Sequence, residues 1–132
     1  MLKIGVLAAG ALFVAITVAT TAVQAEGNVE NGADVFKKCR ACHLVGEGAK
    51  DTVGPQLNKI MGRKAGTSET YKTYSDNMKE LGQKNLAWDD SNLDKYLENP
   101  KAIVPQGKMA FPGLKDKADR DDVIAYLKTF SK

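Results

Sequence analysis

The chain has 132 residues, 43% of them hydrophobic and 27% charged, with a formal net charge of +3. This describes one small globular domain and excludes a multidomain enzyme or a disordered segment. Two Cys and a single His rule out a four-thiolate zinc site, a multi-histidine metal centre and a disulfide framework.

In chain order, the first element stands apart from the fold. Lys3 precedes an uncharged run from Ile4 to Ala25, strongly apolar as far as Ile16, and Val23-Gln24-Ala25 supplies a small-residue cleavage site. The pattern predicts a signal peptide over residues 1–25, cleaved to leave a mature domain of residues 26–132 in the periplasm. The alternative is an N-terminal membrane anchor, because 22 uncharged residues just suffice to span a bilayer. With Lys3 gone, 18 basic and 16 acidic residues leave +2, too mild a charge for nucleic-acid binding.

The mature chain reads as helices and loops without strands. Asn28 is an N-cap candidate, and Val29, Ala33, Phe36 and then Cys39 or Arg40 follow the spacing of one helical face. Gly32 inside that pattern costs about 1 kcal/mol relative to Ala, which a close helix crossing would explain. Leu57, Ile60 and Met61 suggest a short helical turn stopped by Gly62. Ser75 caps a helix carrying Met78 and Leu81, stopped by Gly82. Asp89 or Asp90 caps another, with Leu93, Tyr96 and Leu97 on one face and Pro100 ending it. The last helix starts near Asp116 or Asp119 and carries Val123, Ile124, Leu127 and Phe130 as its apolar stripe.

Between these elements, residues 44–74 and 103–115 are long irregular stretches, which normally count against a compact domain. The apolar core is also thin for the length, as in small domains that need a staple or a cofactor. A large apolar ligand resolves both difficulties. Cys39-Arg40-Ala41-Cys42-His43 is the C-x-x-C-H pattern of c-type haem attachment. Thiols three apart on a helix lie on one side, suited to thioether bonds with the two vinyl groups of one haem, and His43 then offers its imidazole to the iron. A thioredoxin-like dithiol would need a βαβ pattern, and zinc would need further ligands. Export agrees, because this haem is joined on the far side of an energy-transducing membrane.

The candidates for the sixth iron ligand are Met61, Met78, Met109 and an open position. Met61 and Met78 have helical spacing and apolar neighbours, where Met is commonly core filler. Met109 lies between Pro105 and Pro112 in an irregular loop that proline keeps at low ordering cost, which favours it.

Several further motifs lie in order along the chain: Gly32-Ala33-Asp34-Val35-Phe36-Lys37-Lys38-Cys39, Gly54-Pro55, Gly62-Arg63-Lys64, Tyr74-Ser75, Trp88, Tyr96-Leu97-Glu98-Asn99-Pro100, Lys108-Met109-Ala110-Phe111 and Ile124-Ala125-Tyr126-Leu127. With these the chain resembles a class I cytochrome c of the bacterial cytochrome c2 type, close to mitochondrial cytochrome c, over essentially all of residues 26–132. The resemblance implies the all-α class I fold, short helices and long loops around one covalently bound haem c. It implies Met109 as axial ligand opposite His43, and a crossing of the first and last helices at Gly32, with Phe36 near Tyr126 and Leu127. Pro55 would accept the hydrogen bond of the His43 ring. Arg63, Tyr74 and Trp88 would serve the buried haem propionate, whose charge needs compensation. Tyr96 would lie near the Met109 sulfur. Gly107 departs from the family, which usually has a hydroxyl residue there.

The function implied is a monomeric carrier that shuttles single electrons between membrane redox complexes, with a bc1-type donor and an oxidase, reaction centre or reductase as acceptor. Docking would use a basic ring made by Lys37, Lys38 and Arg40 with Lys101, Lys108, Lys115 and Lys117. The acidic residues Asp89, Asp90, Asp94, Glu98, Asp119, Asp121 and Asp122 would lie elsewhere. The alternative is a haem enzyme or gas-binding cytochrome with a labile sixth ligand.

Overall fold

The computed structural model describes Gly5 and residues 26–132. Apart from Gly5, the expected signal peptide lies outside the described residues. The helices run in the order α1 (Val29–Phe36), α2 (Asp76–Gln83), α3 (Asp90–Glu98), α4 (Pro100–Ile103) and α5 (Lys117–Lys128). Among the described residues the only β pairing is an isolated bridge between Lys64 and Ala87, so the domain is all-α, as expected. No helix among the described residues is long and apolar enough to cross a membrane.

Side-chain caps start four of these helices. Asn28, Ser75, Asp89 and Asp116 accept the N–H groups of Asn31, Met78, Asn92 and Ala118, satisfying donors that the first turn leaves free. Pro100 ends α3, as expected, and also opens α4, where its missing N–H costs nothing.

Three local expectations are corrected. Helix α1 stops at Phe36, before Cys39, and buries Gly32, Val35 and Phe36 while Val29 stays 43% exposed. In place of a helical turn at Leu57–Met61 the chain makes tight turns, with Lys59 at φ 56° and Gly62 at φ 79°, values a right-handed helix does not contain. Gly82 does not stop α2. It is buried within it, and a Cβ there would lie 1.8 Å from the Ala65 carbonyl oxygen, so this glycine permits a close approach.

Helix α1 packs on α5, and the crossing turns on Gly32. An added Cβ would lie 2.0 Å from the Asp122 carbonyl oxygen and 2.8 Å from the Tyr126 Cβ. The Phe36 and Tyr126 rings close the same contact at 5.5 Å between centroids. Helix α3 packs against α5 as well, and Arg120 of α5 joins them. Only 5% exposed, it donates through Nε to Asp94 of α3 at 2.8 Å. Its Nη1 donates to the carbonyls of Leu114 and Lys115 at 2.9 and 3.0 Å.

Replacing Arg120 by Leu strands those acceptors. Losing one partner of a buried pair costs about 3–5 kcal/mol in full. Asp94 keeps partial exposure and a second cation, Lys117, at 3.6 Å. Arg120→Leu is therefore expected to cost about 2–3 kcal/mol, read as a lower urea midpoint of the haem-loaded protein at unchanged slope.

The irregular stretches are ordered by cross-links rather than by periodicity. Gly46 and the Asn58 side chain exchange two hydrogen bonds of 2.8 Å each. The N–H groups of Lys59 and Gly62 reach the carbonyls of Phe130 and Trp88 at 2.8 and 2.9 Å. Their backbone polar groups are thus paired without a sheet.

Candidate functional site: the cavity behind the Cys-x-x-Cys-His turn

After α1 the chain keeps turning. The Cys39 N–H bonds the Phe36 carbonyl at 2.8 Å, and Cys42 and His43 both bond the Cys39 carbonyl, at 3.1 and 2.9 Å. The expected helical placement of the two thiols is thus replaced by tight turns, which still bring Cys39, Cys42 and His43 to one cavity. Neither cysteine is in a disulfide. Burial pushes the Cys39 thiol up in pKa, against the opposing effect of Lys38.

His43 is pinned. Its Nδ1 stands 2.7 Å from the Pro55 carbonyl, and since a carbonyl only accepts, the proton is on Nδ1 and Nε2 keeps its lone pair. Burial lowers the imidazole pKa, outweighing the Pro55 hydrogen bond, and Arg63 lowers it further. The ring is thus held neutral, the form that binds a metal. The preceding Gly54 makes room for it, because a Cβ there would lie 2.4 Å from the His43 Cε1.

The cavity has a volume of about 550 Å³ and is bordered by Cys39, Cys42, His43, Pro55, Arg63, Tyr74, Trp88, Tyr96 and Met109, every site residue expected from the sequence. Phe36, Leu57, Ile60, Leu93, Leu97 and Leu127 make up much of the remaining wall. Phe36, Ile60, Trp88, Leu93, Tyr96, Val123 and Leu127 belong to the buried hydrophobic core, so the core is built around this space. Of the three candidate methionines, Met78 and Met109 border the cavity and Met61 does not. The Tyr96 hydroxyl lies 3.9 Å from the Met109 Sδ, and burial pushes the Tyr96 pKa up to about 12, so it remains a donor. The Tyr96 ring also packs against Trp88, 4.8 Å between centroids.

Arg63 reaches the carbonyls of Asn58 and Gln56 only at 3.5 and 3.4 Å, leaving its charge largely unspent beside the cavity. Burial raises the Tyr74 pKa, while Arg63 and a hydrogen bond with Ser68 oppose it. The two basic segments meet at this cavity through Lys38 and Lys108, but they are not equivalent. Lys37, Lys38 and Lys117 are paired with Asp34, Asp119 and Asp94. Lys101, Lys108 and Lys115 donate instead to the carbonyls of Gly107, Thr73 and Glu98, and Lys108 also acts at longer range on Asp76. Arg40 and Lys37 border a separate, smaller cavity of about 300 Å³ beside Tyr126.

The family model for cytochrome c matches residues 29–131. The chain belongs to the cytochrome c family.

It is 51% identical over 102 residues to a cytochrome c2 of Afifella marina, covering 77% of this chain and 82% of that protein. To cytochrome c-550 of Ancylobacter novellus it is 53% identical over 100 residues, covering 76% and 92%. Among solved structures it is similar to cytochrome c2 from Rhodospirillum centenum, with 38% identity and a TM-score of 0.75 over 80% of this chain and 100% of that one. Cytochrome cH from Methylobacterium extorquens gives 42% identity and a TM-score of 0.71 over 78% and 99%. As a cytochrome c the chain carries one covalently attached haem c and transfers single electrons. The largely apolar cavity, its two thiols and its neutral, oriented imidazole fit that group.

Two residues of this cytochrome escape sequence reasoning. Arg120 sits among Asp119, Asp121 and Asp122 and so reads as a solvated charge. Only its spacing to Val123 and Leu127 places it on the buried stripe. Asn77, whose side-chain oxygen meets the Gln106 N–H at 3.2 Å, carries no signal, since nothing local marks a contact 29 residues away.

Proposed function

We propose that this cytochrome c is a soluble periplasmic shuttle, processed after Ala25, whose iron is held by His43 and Met109. Ligation by both His43 and Met109 would leave the iron no open site for a substrate, so the protein would not be an enzyme. One observation carries the reading. The same cavity is bordered by an imidazole locked through Nδ1 to Pro55 at 2.7 Å and by a thioether met by the Tyr96 hydroxyl at 3.9 Å.

When bound, the haem supplies the Fe(III)/Fe(II) couple. Cys39 and Cys42 tether it. Pro55 fixes the His43 orientation and strengthens it as a ligand. The soft thioether of Met109 and the dry wall around it favour the reduced state. Arg63 would balance the propionate charge, and Tyr74 and Trp88 would donate hydrogen bonds to it, since it would be costly to bury without partners. Met78 serves as apolar lining, the common role of methionine in an irregular gap.

Electron exchange takes place with membrane redox complexes, a bc1-type donor and an oxidase, reaction centre or reductase as acceptor. Docking is steered by the positive charge around the cavity. Lys101, Lys108 and Lys115 contribute most, because they bond backbone carbonyls and form no ion pair among the described residues. Such encounters are weak, small in area and screened by salt. The rate of reduction by a bc1-type complex in native membranes is expected to fall about tenfold as ionic strength rises from roughly 0.01 to 0.2 M. Lys108→Glu should lower the low-salt rate and flatten the dependence. A rate indifferent to salt would contradict the docking surface.

A further inference from the structure

The loop that carries Met109 is held by Lys101 of α4, which donates to the Gly107 carbonyl, and is fastened on two further sides. Toward α3, the Leu114 N–H donates to the Leu97 carbonyl at 2.7 Å and Lys115 Nζ donates to the Glu98 carbonyl at 2.7 Å. Toward α2, the Gln106 N–H donates to Asn77 Oδ1 at 3.2 Å and Lys108 Nζ to the Thr73 carbonyl at 2.9 Å. These last two bonds flank Gly107, which has no side chain to contribute. A side chain would also be tight here, because a Cβ would lie 3.1 Å from both the Cγ1 and the carbonyl oxygen of Val104, itself 1% exposed. Fastening on this side therefore comes from the neighbours of Gly107, through the Lys108 side chain and the acceptor that Asn77 offers to the Gln106 N–H.

The two fasteners differ in quality. Lys108 is a long exposed side chain that loses much rotamer freedom when held, and it is the residue a docking partner would engage. Asn77 is short and stands on α2, a helix anchored at its start by the Ser75 cap and pressed onto Ala65 at Gly82. We infer that Asn77 is a positioning residue: by accepting the Gln106 N–H it clamps the Met109 loop to α2 and sets how readily Met109 releases the iron. The inference rests on Met109 being the axial ligand.

The test is imidazole binding to the ferric, haem-loaded mature protein, which competes with Met109. Asn77→Ala should keep the weak far-red band of methionine ligation without imidazole, yet bind imidazole about fivefold more tightly, the scale of one net hydrogen bond. Asn77→Asp, which keeps an acceptor, should bind imidazole as the native protein does. The urea midpoint of global unfolding should stay unchanged in both. Unchanged imidazole affinity in Asn77→Ala would overturn the inference. So would an equal effect in Asn77→Asp, or a matching loss of global stability, which would mark a merely structural role. Failure of the ligand assignment looks different, because the far-red band would then survive Met109→Ala.

Discussion

Met109→Ala is expected to abolish the far-red band of the ferric protein, open the ferrous iron to carbon monoxide and lower the reduction potential. The drop should be on the order of 0.1 V or more, a modest part of the ~0.8 V that axial ligands command. The thioether stabilises ferrous iron, and its loss also admits water to a largely apolar cavity. Met61→Ala should leave the band intact, since Met61 does not border the cavity. Met78→Ala removes apolar lining and should likewise keep the band. An absorption spectrum and a mediated redox titration of the three variants check this. Loss of the band in Met78→Ala with its retention in Met109→Ala would move the assignment to α2.

The second large effect concerns the crossing of α1 and α5. Helix propensity alone predicts that Gly32→Ala stabilises the protein by about 1 kcal/mol. Packing predicts the opposite, because the new methyl would sit 2.0 Å from the Asp122 carbonyl oxygen, and neither backbone can yield without parting the helices. Overpacking of a tight contact costs about 1–3 kcal/mol, and backbone against backbone belongs at the upper end. Set against the propensity gain, this leaves a net loss of roughly 2 kcal/mol, which lowers the Tm by about 10 °C for a domain of this size. Gly32→Val should cost more still. Thermal melts of the holoprotein decide between the two forces, and a stabilised Gly32→Ala would mean that the helices do not cross at this residue.

Gly32 also shows what could be read before the structure was known. A glycine that costs helix stability in an otherwise periodic segment announces a close neighbour, and the neighbour is there. Gly82 looks the same in sequence and was expected to stop its helix, yet it too is an approach point, to the Ala65 carbonyl. Local pattern does not separate the two roles, because the difference lies in a partner distant along the chain. Caps were legible because Asn28, Ser75 and Asp89 act within three residues of themselves. The end of α1 was not, because apolar spacing continues smoothly into Cys39 while the backbone has already tightened. The haem-binding motif was the most legible feature of all, since both thiols and the only imidazole fall within five residues. The loop clamp at Asn77 was the least, being a single contact made by an ordinary polar residue on a helix.

Carbon monoxide tests most directly whether the haem site is closed on both sides by this chain's own residues, as proposed. The absorption spectrum of the native ferrous mature protein should be unchanged on adding carbon monoxide at neutral pH, because on the proposed ligation Met109 would occupy the position the gas would take. Ready formation of a carbon monoxide complex by the native protein would contradict the closed carrier and favour a cytochrome with a labile sixth ligand.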